Sequence, residues 1–500
     1  MDQPLSGRIL ADPSGTERLP RTAPTAPTRR LRTRTQVWLV LSAVAFSVVT
    51  AQVFGRRYSF FDMKIYHGAV EWWTSGGHMY EFIAPGTTLG FTYPPFAALT
   101  MLPMAGMSAI AAGWLNVLAS VAVLAVVLAV LLVPVADRLG WPRGLVLGMA
   151  APLALALEPG RETLGFGQVN LLLFGLVMAD LVGQRLRSGG GPVAAGRTGT
   201  RDAARARAGT PAGGDAAPAA GPRSEYLVAE ALRRFWRSGA WAGAGIGLAT
   251  AIKVTPGLFI AYLLLSRQWR TAAVATGTAA GASLLAMVVA PRETLAYFTS
   301  VLWQTDRVGA ADFTPNQSLA GILARIYDQT QAPTMLWLSF AAVCCALGLS
   351  RAISAHREGD ELAAFTLVGL TAVVLSPISW THHLVFVVPA VVVMADAALR
   401  RRSASRGLGL GPSLAGIRYG AAAAGTYVLF LVSPIWWVHH RLPEGSHYDS
   451  GLWGLLAENS LALGVILLVA AMPWRPGAEP AFGPVRPRVA GGRAAGPRPA

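Results

Sequence analysis

Few residues in this chain combine a reactive type with an unexpected setting. Asp62 follows the first long apolar run, with Phe60 and Phe61 before it and Met63 and Ile65 after it. A carboxylate there loses hydration unless it has a partner or a chemical task. Asp is also a favoured helix N-cap, and residues 63–75 could start a helix behind it. Lys253 is one of only two lysines beside 40 arginines, and it interrupts an apolar stretch just before Pro256. A point charge at a helix break suits a phosphate; the other reading is a lysine snorkelling from a span end. Lys64, the second lysine, reads as a solvated interfacial charge. His382 and His383 are neighbours, so on a helix both cannot face one site; one can face a substrate while the other bonds backbone. Zinc helices use i,i+4 pairs, and no metal site is expected. His439 and His440 share that weakness and read as interfacial. Asn170, Asn316 and Gln317 are uncharged hydroxyl binders, or equally helix caps. Cys344 and Cys345, adjacent in an apolar run, read as small core residues.

The elements that must position these groups are set by composition. Of 500 residues, 53% are hydrophobic and only 14% charged, with a mean hydropathy of +0.45. Soluble domains carry about 25% charge, so the expectation is an all-α polytopic membrane protein. Twelve candidate spans can be drawn: 37–55, 109–133, 144–158, 168–183, 239–252, 255–266, 271–290, 333–350, 362–378, 383–398, 415–437 and 451–472. Several are shorter than the 17–20 residues a crossing needs, and the two around Lys253 could be one broken helix. With the N-terminus in the cytoplasm, 33 of the 42 basic residues fall on the inner side and nine on the outer, as the positive-inside rule asks. The net charge of +16 therefore reads as membrane topology and not as nucleic-acid binding. Residues 1–35, 184–238 and 475–500 are low in core-forming residues and are expected to be disordered cytoplasmic segments. They flank and separate two parts of a membrane core, 36–183 and 239–474.

On this topology the non-basic polar motifs gather on one face. A transporter needs polar groups near the midplane and access from both sides, whereas a one-sided cluster suits an enzyme acting on a lipid-linked substrate from outside. The first outer loop, 56–95, is long for a plain connection. Its aromatic residues interleave with charge, which fits interfacial helices.

Six motifs in order resemble glycosyltransferase family 87, a GT-C group of polyprenol-phosphate-sugar-dependent α-mannosyltransferases of actinobacteria. They are Phe61-Asp62-Met63-Lys64-Ile65-Tyr66, Thr92-Tyr93-Pro94-Pro95, Gly167-Gln168-Val169-Asn170, Lys253-Val254-Thr255-Pro256, Asn316-Gln317-Ser318 and Ser376-Pro377-Ile378-Ser379-Trp380-Thr381-His382-His383. The resemblance implies a GT-C-like fold of about 12 transmembrane helices and inverting transfer from polyprenyl-phosphate mannose. The acceptor would be a mannoside, glycolipid or mannan at the outer face of the plasma membrane, the linkage α-(1→2). It implies Asp62 as general base. It also implies donor-phosphate or substrate contacts from Lys253, His382, His383, Lys64, Tyr66, Tyr93, Gln168, Asn170, Asn316 and Gln317. No cofactor, metal or nucleic-acid partner is expected. Transfer of arabinose from the corresponding pentose donor is the alternative on the same fold, and a lipid or solute transporter a more distant one.

Overall fold

The computed structural model describes residues 31–56, 58–189, 223–407, 416–439 and 451–478. Among them the regular elements are all helical, with two isolated antiparallel bridges, Ile83 to Gly90 and Asn316 to Trp380. The first half runs through α1 (Thr33–Phe54), α2 (Phe61–Thr74), α3 (Pro95–Met101), α4 (Ala109–Leu139), α5 (Arg143–Leu155), α6 (Glu158–Phe166) and α7 (Asn170–Gly189). The second half comprises α8 (Arg223–Ser238), α9 (Ala244–Ile252), α10 (Gly257–Leu265), α11 (Trp269–Val289), α12 (Pro291–Thr299), α13 (Leu319–Ile326), α14 (Thr334–Arg357) and α15 (Glu361–Leu375). It closes with α16 (Val387–Gly407), α17 (Ile417–Val432), α18 (Ile435–His439), α19 (Gly451–Glu458) and α20 (Ser460–Ala471).

Among the described residues, five helical segments are long and apolar enough to cross a membrane: α1, α4, α11, α14 and α17 with α18. The pair α19–α20, bent by 62°, makes a sixth if counted as one broken span. Each of the twelve expected spans overlaps a helix, but most of the others are short. The 13 residues of α5 and the 15 of α15 fall below the roughly 20 needed to cross. The protein is a multi-pass membrane protein whose long spans show their apolar side chains outward. In α1 only Ala43 and Thr50 are buried, while Trp38, Val44, Val49 and Val53 are exposed, a surface suited to lipid.

The centre is α15, buried at every residue from Leu362 to Val374 and packed by α10, α14, α16 and α20. A helix apolar all round must sit inside such a bundle. Asp360 caps its start, accepting from the Ala363 N–H at 3.1 Å.

Three segments expected to be irregular are partly ordered. Helix α1 begins at Thr33, and α7 and α8 enter the 184–238 insertion from both ends. The physical reason for α8 is amphipathicity: Leu232, Phe235 and Trp236 alternate with Arg233, Arg234 and Arg237, and those three apolar side chains are exposed. Arg475, placed in the C-terminal tail by composition, is buried against Asp360 and Asp396. Residues 1–30, 190–222 and 479–500, the remainder of those expectations, lie outside the described residues, as do Arg57 and His440.

Candidate active site

A cavity of about 630 Å³ lies between α2, the loop before α3, α6, the α9–α10 joint and the turn at Thr381–His383. It is lined by Asp62, Tyr66, Tyr93, Gln168, Lys253, His382 and His383, which the sequence disperses over more than 300 positions.

Local sequence explains how each side chain arrives. Helix α2 starts one residue before Asp62, and its N-cap is Phe60 in a left-handed conformation (φ 58°) with no side-chain cap. Asp62 therefore sits in the first turn and not at the cap position considered from sequence, which leaves its carboxylate for the cavity. Gln168 donates its amide N–H to Asp62 Oδ2. The same amide accepts from the Tyr93 hydroxyl at 3.0 Å, and Tyr93 accepts from Tyr66 at 3.1 Å. The Gln168 carbonyl is held by Asn116 of α4 at 3.1 Å. Gly167 makes this close approach possible. It ends α6 with φ +73°, and a Cβ there would meet Met63 Cβ at 2.7 Å. Burial pushes the Asp62 carboxyl up to about 6, against the opposing pull of the Gln168 hydrogen bond and the Lys253 charge.

Lys253 owes its position to a helix break. The backbone at Lys253 is extended (φ −148°, ψ 128°) between α9 and α10. The upstream half is pinned by Asp180, whose buried carboxylate accepts from the Gly245 and Ile246 N–H groups at 3.1 and 2.7 Å. Nζ contacts Asn170 Oδ1 at 3.1 Å, the Tyr93 hydroxyl at 3.4 Å and His383 Nε2 at 2.8 Å. His383 Nδ1 in turn accepts from the Trp380 N–H at 3.1 Å. His382, its ring at 87° to that of His383, is buried at the cavity wall, and neither of its ring nitrogens has a hydrogen-bond partner.

The other expected contacts divide. Tyr66, Tyr93, Gln168 and Asn170 belong to the hydrogen-bonded assembly around Asp62 and Lys253. Lys64 is exposed and outside the cavity lining, because the helical repeat turns it away from Asp62 and Tyr66. Asn316 and Gln317 are also outside it. Asn316 donates to Ala311 O and Pro377 O and accepts from Ser379 N. Gln317 donates to Thr314 O and Glu458 O and accepts from Ala462 N. Their amides are consumed by backbone: Asn316 braces the loop that carries His382 and His383 through Pro377 and Ser379, and Gln317 ties its own turn to the α19–α20 joint.

Sequence reasoning passed over Glu158-Pro-Gly-Arg-Glu162, weighing only Arg161 as an outer basic residue. Helix α6 buries both carboxylates. Two acids four positions apart around an arginine, between apolar runs, was the available signal. Cys344 and Cys345 remain free thiols inside α14.

The sequence model of glycosyltransferase family 87 matches residues 91–199 and 226–377, over half of the chain. A polyprenol-phosphate-mannose-dependent alpha-(1-2)-phosphatidylinositol mannoside mannosyltransferase of Mycobacterium tuberculosis is 31% identical over 404 residues, covering 76% of this chain and 80% of the relative. Its namesake from Mycolicibacterium smegmatis is 30% identical over 483 residues, covering 90% and 91%. A phosphatidylinositol pentamannoside mannosyltransferase of the latter organism is 28% identical over 364 residues, covering 71% and 73%. Among solved structures, ArnT from Cupriavidus metallidurans bound to undecaprenyl phosphate aligns over 87% of this chain and 76% of its own, at 17% identity and a TM-score of 0.34. With sequence matches on this scale, the chain belongs to glycosyltransferase family 87 and is a membrane glycosyltransferase.

Proposed function

We propose that this enzyme transfers mannose from polyprenyl-phosphate mannose to a mannoside or glycolipid acceptor, with inversion and an α-(1→2) linkage. The observation that carries the reading is the juxtaposition of a base and a cation in one cavity, bridged by Tyr93, which contacts both Gln168 and Lys253. The activities named for the relatives in the two mycobacterial species supply the donor.

Asp62 takes the proton from the acceptor hydroxyl as that oxygen attacks the anomeric carbon. The bond to the phosphate oxygen breaks on the opposite face of the sugar, and the released phosphate is met by Lys253 with His383 beside it. The Gln168 amide, fixed by Tyr93, keeps the Asp62 carboxylate turned into the cavity. The excess of arginine on one side of the expected spans supports a cytoplasmic placement of the termini and an outer-face position for this cavity. A donor carried on a polyprenyl chain suits that location, because the activated sugar arrives already in the bilayer.

The test is transfer of radiolabelled mannose from polyprenyl-phosphate mannose to a short α-mannoside by purified enzyme, with polyprenyl-phosphate arabinose as parallel donor. Mannose transfer that is lost in Asp62→Asn is the expected result. Arabinose transfer alone would overturn the donor, and full activity in Asp62→Asn would overturn the base.

A further inference from the structure

Two carboxylates one helical turn apart in α6 differ in how they are used. Glu158 is fully engaged: one oxygen accepts from Arg161 Nη2 at 2.5 Å and the other from the Trp436 indole N–H at 2.6 Å. Glu162 is 1% exposed and faces the cavity, yet its Oε2 has no hydrogen-bond partner. Such an atom is costly to bury unless a ligand completes it. The wall around it has the composition of a sugar site. The Tyr58 ring stacks on Phe166 with centroids 3.7 Å apart, and Phe166 lies 5.2 Å from the unpartnered His382 ring. The Arg56 guanidinium covers Trp436 at 3.1 Å. Burial and the neighbouring Glu158 push the Glu162 carboxyl well above the usual carboxylate range, against the Tyr58 hydrogen bond and the Arg56 and Arg161 charges.

From this arrangement we infer that Glu162, with His382 beside it, forms the acceptor subsite and binds hydroxyls of the neutral terminal sugar of the acceptor. The inference rests on the transferase reading and adds to it the place where the acceptor lies. Lys253 at the α9–α10 joint already offers a phosphate its cation in this cavity, which leaves the Glu162 wall for neutral hydroxyls. In an inverting displacement the acceptor must approach opposite the leaving phosphate. Glu162 then serves the acceptor end of that line and Lys253 the end where the phosphate leaves.

The experiment compares wild type with Glu162→Ala and Glu162→Gln, measuring KM for polyprenyl-phosphate mannose and for a short α-mannoside separately. Loss of a buried hydrogen-bond partner corresponds to about a 10- to 100-fold rise in acceptor KM for Glu162→Ala. Donor KM stays within about twofold, and Glu162→Gln, which keeps one acceptor oxygen, falls between. Thermal melting of both variants in the same detergent checks folding. If Glu162→Ala melts far below wild type, Glu162→Gln alone decides, and an unchanged acceptor KM in that folded variant overturns the proposal. A rise confined to donor KM overturns it as well, by moving Glu162 to the donor sugar. If wild type transfers no mannose, the reading of the reaction has failed first. Binding of the α-mannoside, read by saturation-transfer NMR on wild type and Glu162→Ala, then decides the subsite: equal binding overturns it.

Discussion

Two polar clusters are buried at different places in this molecule, and they are completed in opposite ways. In one, Asp396 is shared by Arg138, Arg400 and Arg475, while Asp360 receives the Arg475 backbone N–H, Nε and Nη2 as well as the Ala363 N–H. Each carboxylate oxygen there has a protein partner. In the cavity around Asp62, by contrast, Glu162 Oε2 and both nitrogens of His382 have none. A saturated cluster acts as a staple, since every charge it buries is compensated within the protein. An unsaturated cluster keeps bonding capacity for something that arrives. On the proposed reading the difference divides structural charge from charge kept for a ligand where burial does not, because Asp360 and Glu162 are equally inaccessible to solvent.

The comparison can be broken from either side. The largest effect is expected at Asp62. Asp62→Asn removes the proposed base, and kcat should fall by about 10²- to 10⁴-fold, with thermal stability close to wild type. The opposite outcome is expected of the staple. Arg475→Met leaves Asp360 and Asp396 without their shared partner and should destabilise the fold by about 3–5 kcal/mol. Melting temperature would report that loss, while both KM values of the surviving folded enzyme stay unchanged. A donor KM altered in Arg475→Met would erase the distinction between the clusters. Tyr93→Phe is a smaller perturbation, deleting the hydroxyl between Gln168 and Lys253 and lowering kcat by about tenfold. The gentlest probe is pH. With the Asp62 carboxyl raised to about 6, its basic form is depleted below that value, so the acidic limb of kcat/KM should rise with pH through about 6. The limb must vanish from the residual activity of Asp62→Asn.

Much of this site was legible in the sequence, for a physical reason. Asp62 and Lys253 stand out because an ionised group among apolar residues needs a justification, and the chain offers few such groups. The adjacent His382 and His383 were legible as a divided pair, one bonding backbone through Trp380 and the other left with its ring nitrogens open. Amides are harder to read. Asn170 contacts Lys253, whereas Asn316 and Gln317 spend the same functional group on backbone carbonyls and N–H groups, and nothing in the residue type distinguishes the two uses. Glu158 and Glu162 were missed because residues in that loop were counted for their positive charge alone. The all-helical architecture followed from composition. The number of crossings did not, because α9–α10 and α19–α20 are interrupted and several helices are too short to score as spans.

The hydrogen bond from the Phe60 N–H to Gly165 O, 3.0 Å long, fastens the start of α2 to the end of α6. Gly167 then brings Gln168 against Asp62 within the same few residues. Asp62, Gln168 and Glu162 are thereby parts of one mechanical piece, to which the 381–383 turn is joined by the Thr163 hydroxyl on His382 O and by the Phe166–His382 ring contact, while Lys253 rides on the α9–α10 joint. A substrate too bulky for the cavity must strain the seam between these two pieces before it can separate the aspartate from the wall that carries Glu162.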